Sequence, residues 1–194
     1  EMAERVERLA LHGLSVGAWQ RFSDAGFKHY EVEEPGYKYN MTDVQAALGI
    51  HQLPQLDGWI DRRAELASRY DDLLADLPLD VPPPADPNAR HAQHLYPVFV
   101  RDEAGISRNS LLEALVERKI GTGVHYHGVH LHPYYRDRYA IAPEALPVTT
   151  DMSARTLSLP LSPKVTESDQ DDVVDALAEV LAGAVSGTAD RAIA

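Results

Sequence analysis

The sequence predicts an α/β chain. Capped, periodic helices open and close its 194 residues, and a proline-rich run at 78–88 divides them. Beyond that divide, strand-like and helix-like stretches alternate. AERVERLAL, Ala3 to Leu11, sets Val6, Leu9 and Ala10 on one face and stops at Gly13, a short helix. Residues 14–41 hold Trp19, Phe22, Phe27, Tyr30, Tyr37 and Tyr39 with no steady period. They read as an ordered, irregular connection with one short strand at Lys28 to Val32. Thr42 and Gln45 have capping-box spacing, so a helix runs from about Asp43 to Leu53 with Val44, Ala47, Leu48 and Leu53 inward, until Pro54 breaks it. A longer helix covers roughly Leu56 to Leu77, with Trp59, Ile60, Leu66, Tyr70, Leu73 and Leu77 as its apolar face. PLDVPPPADPN, Pro78 to Asn88, admits neither a helix nor a central strand and reads as an extended connector.

Strand formers then fill HLYPVFV (94–100), and SRNSLLEALVERKIG (107–121) is a helix capped by Ser107. GTGVHYH (121–127) reads as a second strand. RTLSLPLSP (155–163) reads as a third, because Thr156 and Ser158 alternate with Leu157 and Leu159. Thr166 starts the last helix, whose buried stripe is Val173, Ala176, Leu177, Val180 and Leu181; past Gly183 a small, polar tail follows. The second half can bury a core of its own. The first half carries more aromatic surface than two helices can cover, so it needs a partner surface.

Composition removes several function classes. The net charge is -12, from 30 Asp and Glu against 18 Lys and Arg, and such a field repels a phosphate backbone, so no nucleic acid is expected as partner. No apolar run approaches the roughly 18 residues of a spanning helix, and the charged, amphipathic first residues are no signal peptide, so no membrane is expected either. Without cysteine there is no disulfide framework, cysteine-ligated zinc or cysteine nucleophile. A first residue of Glu1 suggests a piece of something longer.

Potential chemistry is densest in VHYHGVHLHPYY, Val124 to Tyr135, where His125, His127, His130 and His132 fall within eight residues. Imidazoles are common metal ligands, and on a strand His125 and His127 would share a face. Nothing specifies a third ligand, so a metal is not favoured. The adjoining PYYRDRY supplies aromatic faces and arginines suited to a nucleotide or sugar. His91 and His94 precede a strand and read as a strand start with one exposed histidine. ESDQDD (167–172) is an acidic first turn favoured by the helix dipole. The chain has no G-x-x-x-x-G-K-[ST], G-x-G-x-x-G or G-x-S-x-G. In PGYKYNMTDVQAALGIHQL (35–53), a turn bearing Lys38 and Asn40 runs into a capped helix start, whose unpaired N–H groups could hold an anion.

Three stretches together, EPGYKYNMTDVQAALGIHQLPQLDGWIDRR, GISRNSLLEALVERKIGTGVHYHGVHLHPYYRDRY and RTLSLPLSPKVTESDQDDVVDAL, resemble the C-terminal half of the DegT/DnrJ/StrS family, from about Ala3 to Leu181. These are pyridoxal 5'-phosphate-dependent aminotransferases acting on nucleotide-linked keto-sugars, and the nearest flavour is the 4-amino-sugar branch, aminoarabinose transaminases included. The resemblance implies the C-terminal part of a fold-type-I, aspartate-aminotransferase-like enzyme ending in a small α+β domain. Residues 1–56 would close the large cofactor domain, 57–184 would form a bridging helix and the small domain, and 185–194 a tail.

In that family the loop before the capped helix crosses a homodimer interface to the cofactor phosphate of the other subunit. The matching residues here are Gly36-Tyr37-Lys38-Tyr39-Asn40, where many relatives read G-Y-N-Y-R. Asn40, and after it Lys38, is therefore expected at the phosphate. His130, in the family's H-L-x-P-Y context, is expected at the sugar nucleotide, with His125, Tyr126 and Tyr135 behind it. The lysine that bonds the cofactor, followed in the family by G-E-G-G, has no counterpart: Lys28, Lys38, Lys119 and Lys164 occupy other positions. The resemblance thus implies a cytoplasmic, homodimeric enzyme with glutamate as donor, of which this chain alone is inactive. A non-catalytic sugar-nucleotide-binding or regulatory module, a metal protein using His125 to His132, and a split enzyme completed by a second polypeptide remain alternatives.

Overall fold

The computed structural model describes residues 1–15 and 31–192, with side chains through 184. Trp19, Phe22, Phe27 and Tyr30, and most of the strand expected at Lys28 to Val32, lie outside the described residues. The chain divides into two compact units, Glu1–Gln55 and Leu56–Ala194.

The first unit is zipped together by backbone. α1 (Met2–Ala10) runs into a turn at Gly13, and the returning segment 31–39 pairs with it. Tyr37 N–H donates to the Leu9 carbonyl at 2.7 Å, Tyr39 N–H to that of Ala10 at 2.8 Å, and His12 N–H to that of Tyr37 at 2.7 Å. Gly13 has φ 71°, and a Cβ there would collide with the Glu34 carbonyl, so the turn requires glycine. Arg8 pairs with Glu33 and Glu34 across the same seam. α2 (Asp43–Gln52) begins with the expected capping box: Thr42 N–H donates to Gln45 Oε1 at 2.9 Å, and Gln45 N–H donates to Thr42 Oγ1 at 3.4 Å.

The inward face expected for α2 is not inward. Val44, Leu48 and Leu53 are 73, 61 and 70 % exposed, Ala47 is exposed as well, and Gly13 is the one buried residue among those described in this unit. Capping and propensity suffice to specify a helix, but only an opposing surface can bury its stripe.

The second unit has a true core. α3 (Leu56–Leu73) leads through an extended strap to β1 (Leu79–Asp80), β2 (Tyr96–Val100) and, much later, β3 (Thr156–Leu159). The three form an antiparallel sheet in that order, with Leu79 opposite Val100, Val98 opposite Leu157 and Tyr96 opposite Leu159. Those six side chains share one face, onto which α3, α4 (Arg108–Glu117) and α7 (Glu167–Ala192) bring Ala67, Tyr70, Leu111, Leu115, Val173 and Leu177. The stripe expected on the last helix is buried. Gln170, fully buried, donates from Nε2 to the Leu66 carbonyl at 2.8 Å and so fastens α7 to α3. Tyr70 and Tyr96 lie 5.0 Å apart, with hydroxyls donating to the Pro160 carbonyl and to Asp71. Burial pushes the Tyr70 phenol up to about 12 and that of Tyr96 in the same direction.

Three sequence expectations change. The strand expected over 121–127 reduces to one bridge between Gly123 and Ser158, since Gly121 and Gly123 offer no side chain to pack on a sheet. Two helices were not foreseen, α5 (Pro133–Tyr139) and α6 (Pro147–Arg155), each with proline in its first turn. The last helix continues through Gly183 to Ala192, because a lone glycine among alanines costs about 1 kcal/mol without ending a helix.

Candidate functional site

The sheet's second face carries the groups of chemical interest. Because side chains alternate along β3, Leu157 and Leu159 enter the core while Thr156 and Ser158 point the other way. All four are nonetheless buried, because the loop 121–131 and α6 cover that second face. Arg155, which ends α6, forks onto Asp151 at 2.7 Å and reaches Asp80 of β1 at 3.2 Å. Hydrogen bonds from Arg101 and then Arg155 hold the Asp80 carboxyl below its usual range.

On this scaffold Ser158, 4 % exposed, bonds to the loop three times, its carbonyl accepting from Gly123 N–H at 3.3 Å. Its N–H donates to the Gly123 carbonyl at 2.7 Å, and its Oγ lies 2.9 Å from His125 Nδ1. A Cβ on Gly123 would sit 2.7 Å from His125 Cε1, so glycine makes the space the ring occupies. His125 is half-buried, and its Nε2 has no hydrogen-bond partner among the described residues. Tyr126 stands edge-on to it at 5.0 Å and is 72 % exposed.

His130 behaves oppositely. Its ring is 4 % exposed and its Nε2 lies 2.8 Å from Thr150 Oγ1, whose own hydrogen goes to the Pro143 carbonyl at 2.9 Å. Gly128 N–H donates to Ser153 Oγ at 2.7 Å one turn away, so α6 holds the whole loop from below. The residue expected foremost at a ligand is thus turned inward and already partnered. Tyr135 on α5 is partly exposed, edge-on to Tyr134 at 5.2 Å and stacked with Tyr139 at 6.3 Å. His127 and His132 meet edge-on at 4.8 Å, and among the described residues no three potential ligands are grouped to hold a metal. His91 and His94 line a separate pocket of about 550 Å³ beneath Pro82 to Pro84.

The first unit supplies a second candidate group. Lys38 is exposed and forms no ion pair among the described residues, and the rings of its sequence neighbours Tyr37 and Tyr39 stack on each other 5.1 Å apart. Asn40 makes no side-chain hydrogen bond there either, and its buried Oδ1 is unpartnered. A free ammonium and a free amide nitrogen beside a capped helix start fit a phosphate group.

Sequence reasoning missed Ser158, Gly123 and Thr150. The alternation of Thr156-Leu157-Ser158-Leu159 was the available signal, since it already placed Ser158 on the non-core face.

The model of the DegT/DnrJ/EryC1/StrS aminotransferase family matches residues 1–178. The spore coat polysaccharide biosynthesis protein SpsC of Bacillus subtilis is 44 % identical over 186 residues, 95 % of this chain and 48 % of that protein. Among solved structures, the aminotransferase DesV of S. venezuelae, in complex with a ketimine intermediate, matches at TM-score 0.75 and 31 % identity over 93 % of this chain and 44 % of its own. The putative sugar aminotransferase Spr1654 of Streptococcus pneumoniae shares the fold at TM-score 0.78 and 24 % identity, covering 96 % of this chain and 45 % of its own. The chain therefore spans about half the length of the relatives it matches.

Proposed function

The chain belongs to the DegT/DnrJ/EryC1/StrS aminotransferase family, and on that premise we propose that it is the C-terminal segment of a pyridoxal-phosphate-dependent aminotransferase. The complete enzyme converts a nucleotide-linked keto-sugar into an amino sugar, with glutamate as donor, and works as a homodimer. The observation that carries this reading is the family match over residues 1–178, most of the chain. A relative named for polysaccharide biosynthesis supports a sugar substrate.

In this reading residues 1–56 end the cofactor domain and residues 57–184 form the bridging helix and small domain. The cofactor, when bound, supplies an electron sink for proton transfer at the substrate carbon. Asn40 and Lys38 hold its phosphate, the amide donating through Nδ2 and the ammonium through Nζ. His125 Nε2 contacts the sugar nucleotide, with Tyr126 and Tyr135 as aromatic surface, while inward-facing His130 steadies the loop. The lysine that bonds the cofactor belongs to another part of the enzyme, and this chain alone is inactive.

The test is to treat the purified chain with pyridoxal phosphate and borohydride and map adducts by mass spectrometry. No site-specific lysine adduct is expected. Mixing with a polypeptide carrying a family N-terminal half should then restore glutamate-dependent amination of a nucleotide keto-sugar. A stoichiometric adduct at Lys28, Lys38, Lys119 or Lys164 of the lone chain would overturn the reading.

A further inference from the structure

We infer that Ser158 is a positioning residue that fixes the neutral His125 ring in its Nε2–H form, so that the ring presents a hydrogen-bond donor, not an acceptor, to whatever it binds. Ser158 Oγ is buried, and its one hydrogen-bond partner among the described residues is His125 Nδ1 at 2.9 Å. Two arrangements are conceivable. If the hydroxyl donates, Nδ1 accepts, Nε2 carries the ring hydrogen, and nothing at this contact is left unpaired. If Nδ1–H donates instead, the hydroxyl hydrogen is left without an acceptor in a buried place, which is costly. The first arrangement should prevail by roughly tenfold or more.

His130 offers an internal comparison. Thr150 gives its hydrogen to the Pro143 carbonyl, so Thr150 Oγ1 can only accept, and His130 must likewise carry its hydrogen on Nε2. The two rings share one tautomer but face opposite ways: His130 uses its N–H inside the loop, whereas His125 leaves its own without a partner among the described residues. Gly123 contributes by leaving room for the ring, since a Cβ would meet Cε1 at 2.7 Å. A donor at that place suits a phosphate, carbonyl or hydroxyl oxygen and does not suit proton abstraction by the neutral ring. That ligand-facing consequence rests on the function proposed above; the tautomer itself does not.

The experiment is two-bond nitrogen–proton correlation NMR of the 194-residue chain labelled in its histidine rings, at about pH 8.5, where an ordinary imidazole is neutral. His125→Gln assigns the signal. The expected result is a His125 ring protonated at Nε2, with Nδ1 at the position of a hydrogen-bond acceptor. Ser158→Ala should move Nδ1 toward its unbonded position and raise the Nδ1–H population toward that of free imidazole. Ser158→Thr, which keeps the hydroxyl, should restore the original pattern. A dominant Nδ1–H form in the unaltered chain overturns the inference, and this holds even if Ser158→Ala fails to fold. So does a Ser158→Ala spectrum in which both His125 nitrogens stay where they were. Because no ligand or cofactor is involved, this result does not depend on the lysine-adduct test of the proposed function.

Discussion

Replacing Gly123 with alanine gives the sharpest test of how the histidine loop is held. The added Cβ would lie 2.7 Å from His125 Cε1, too close for the ring to stay. Turning the ring about 30° off its rotamer costs about 1 kcal/mol, and losing the Ser158 bond about another. Against this, alanine lowers the entropy of the unfolded chain by about 0.7 kcal/mol. The net expected loss is about 1.3 kcal/mol, read as the shift in urea midpoint at constant m. The mechanism is visible only in combination. In a Ser158→Ala background the bond is already gone, the ring can turn freely, and Gly123→Ala should cost nearly nothing. The double-mutant cycle should therefore show a coupling of about 1 kcal/mol. Costs that add to within about 0.3 kcal/mol would mean that the clash does not act through His125, and the account of the loop would be wrong.

Other expectations are simpler. The raised Tyr70 phenol makes stability fall at high pH: below about 10 both states keep the proton, and between 10 and about 12 only the folded state does. Its share of the loss is about 1.4 kcal/mol per pH unit in that window, and Tyr70→Phe should remove that slope in unfolding curves taken from pH 9 to 12. Thr166 caps α7 by accepting from Asp169 N–H at 3.1 Å and donating back to that carboxylate. Thr166→Ala should cost about 1 kcal/mol, a fall of about 2–4 °C in Tm by calorimetry. Lys119, just past α4, sits at φ 62°, so Lys119→Gly should gain about 0.5–1 kcal/mol in urea unfolding.

Most helices were readable because each has a local cause: a cap, a stop or a stripe of period 3.6. The α2 capping box and the buried stripe of α7 appear as the pattern dictates. α5 and α6 escaped because their residues, PYYRDRY and PVTTDMSAR, carry no apolar stripe of helical period, and each starts on a proline with no side-chain cap. The outward stripe of α2 escaped for a different reason: a pattern states which face is apolar, not whether anything lies against it. At the candidate site, sequence placed His130 foremost and His125 behind it, and the structure buries the first and leaves the second half-exposed. His130 and His125 differ in burial and in their partners, Thr150 and Ser158, which lie 20 and 33 residues away. Such pairings are set by the register between a loop and a strand, and no local window contains them.

β3 divides its labour by parity. Odd positions 157 and 159 fill the hydrophobic cluster, even positions 156 and 158 point to the other face, and Ser158 there meets the loop that carries His125. A substitution at an even position leaves core volume untouched, and one at an odd position leaves the loop's partners in place. Descendants of this sequence can therefore vary what the loop presents without renegotiating the fold beneath it. An insertion of one residue would exchange the two roles at once, so the strand tolerates replacement far better than it tolerates changes of length.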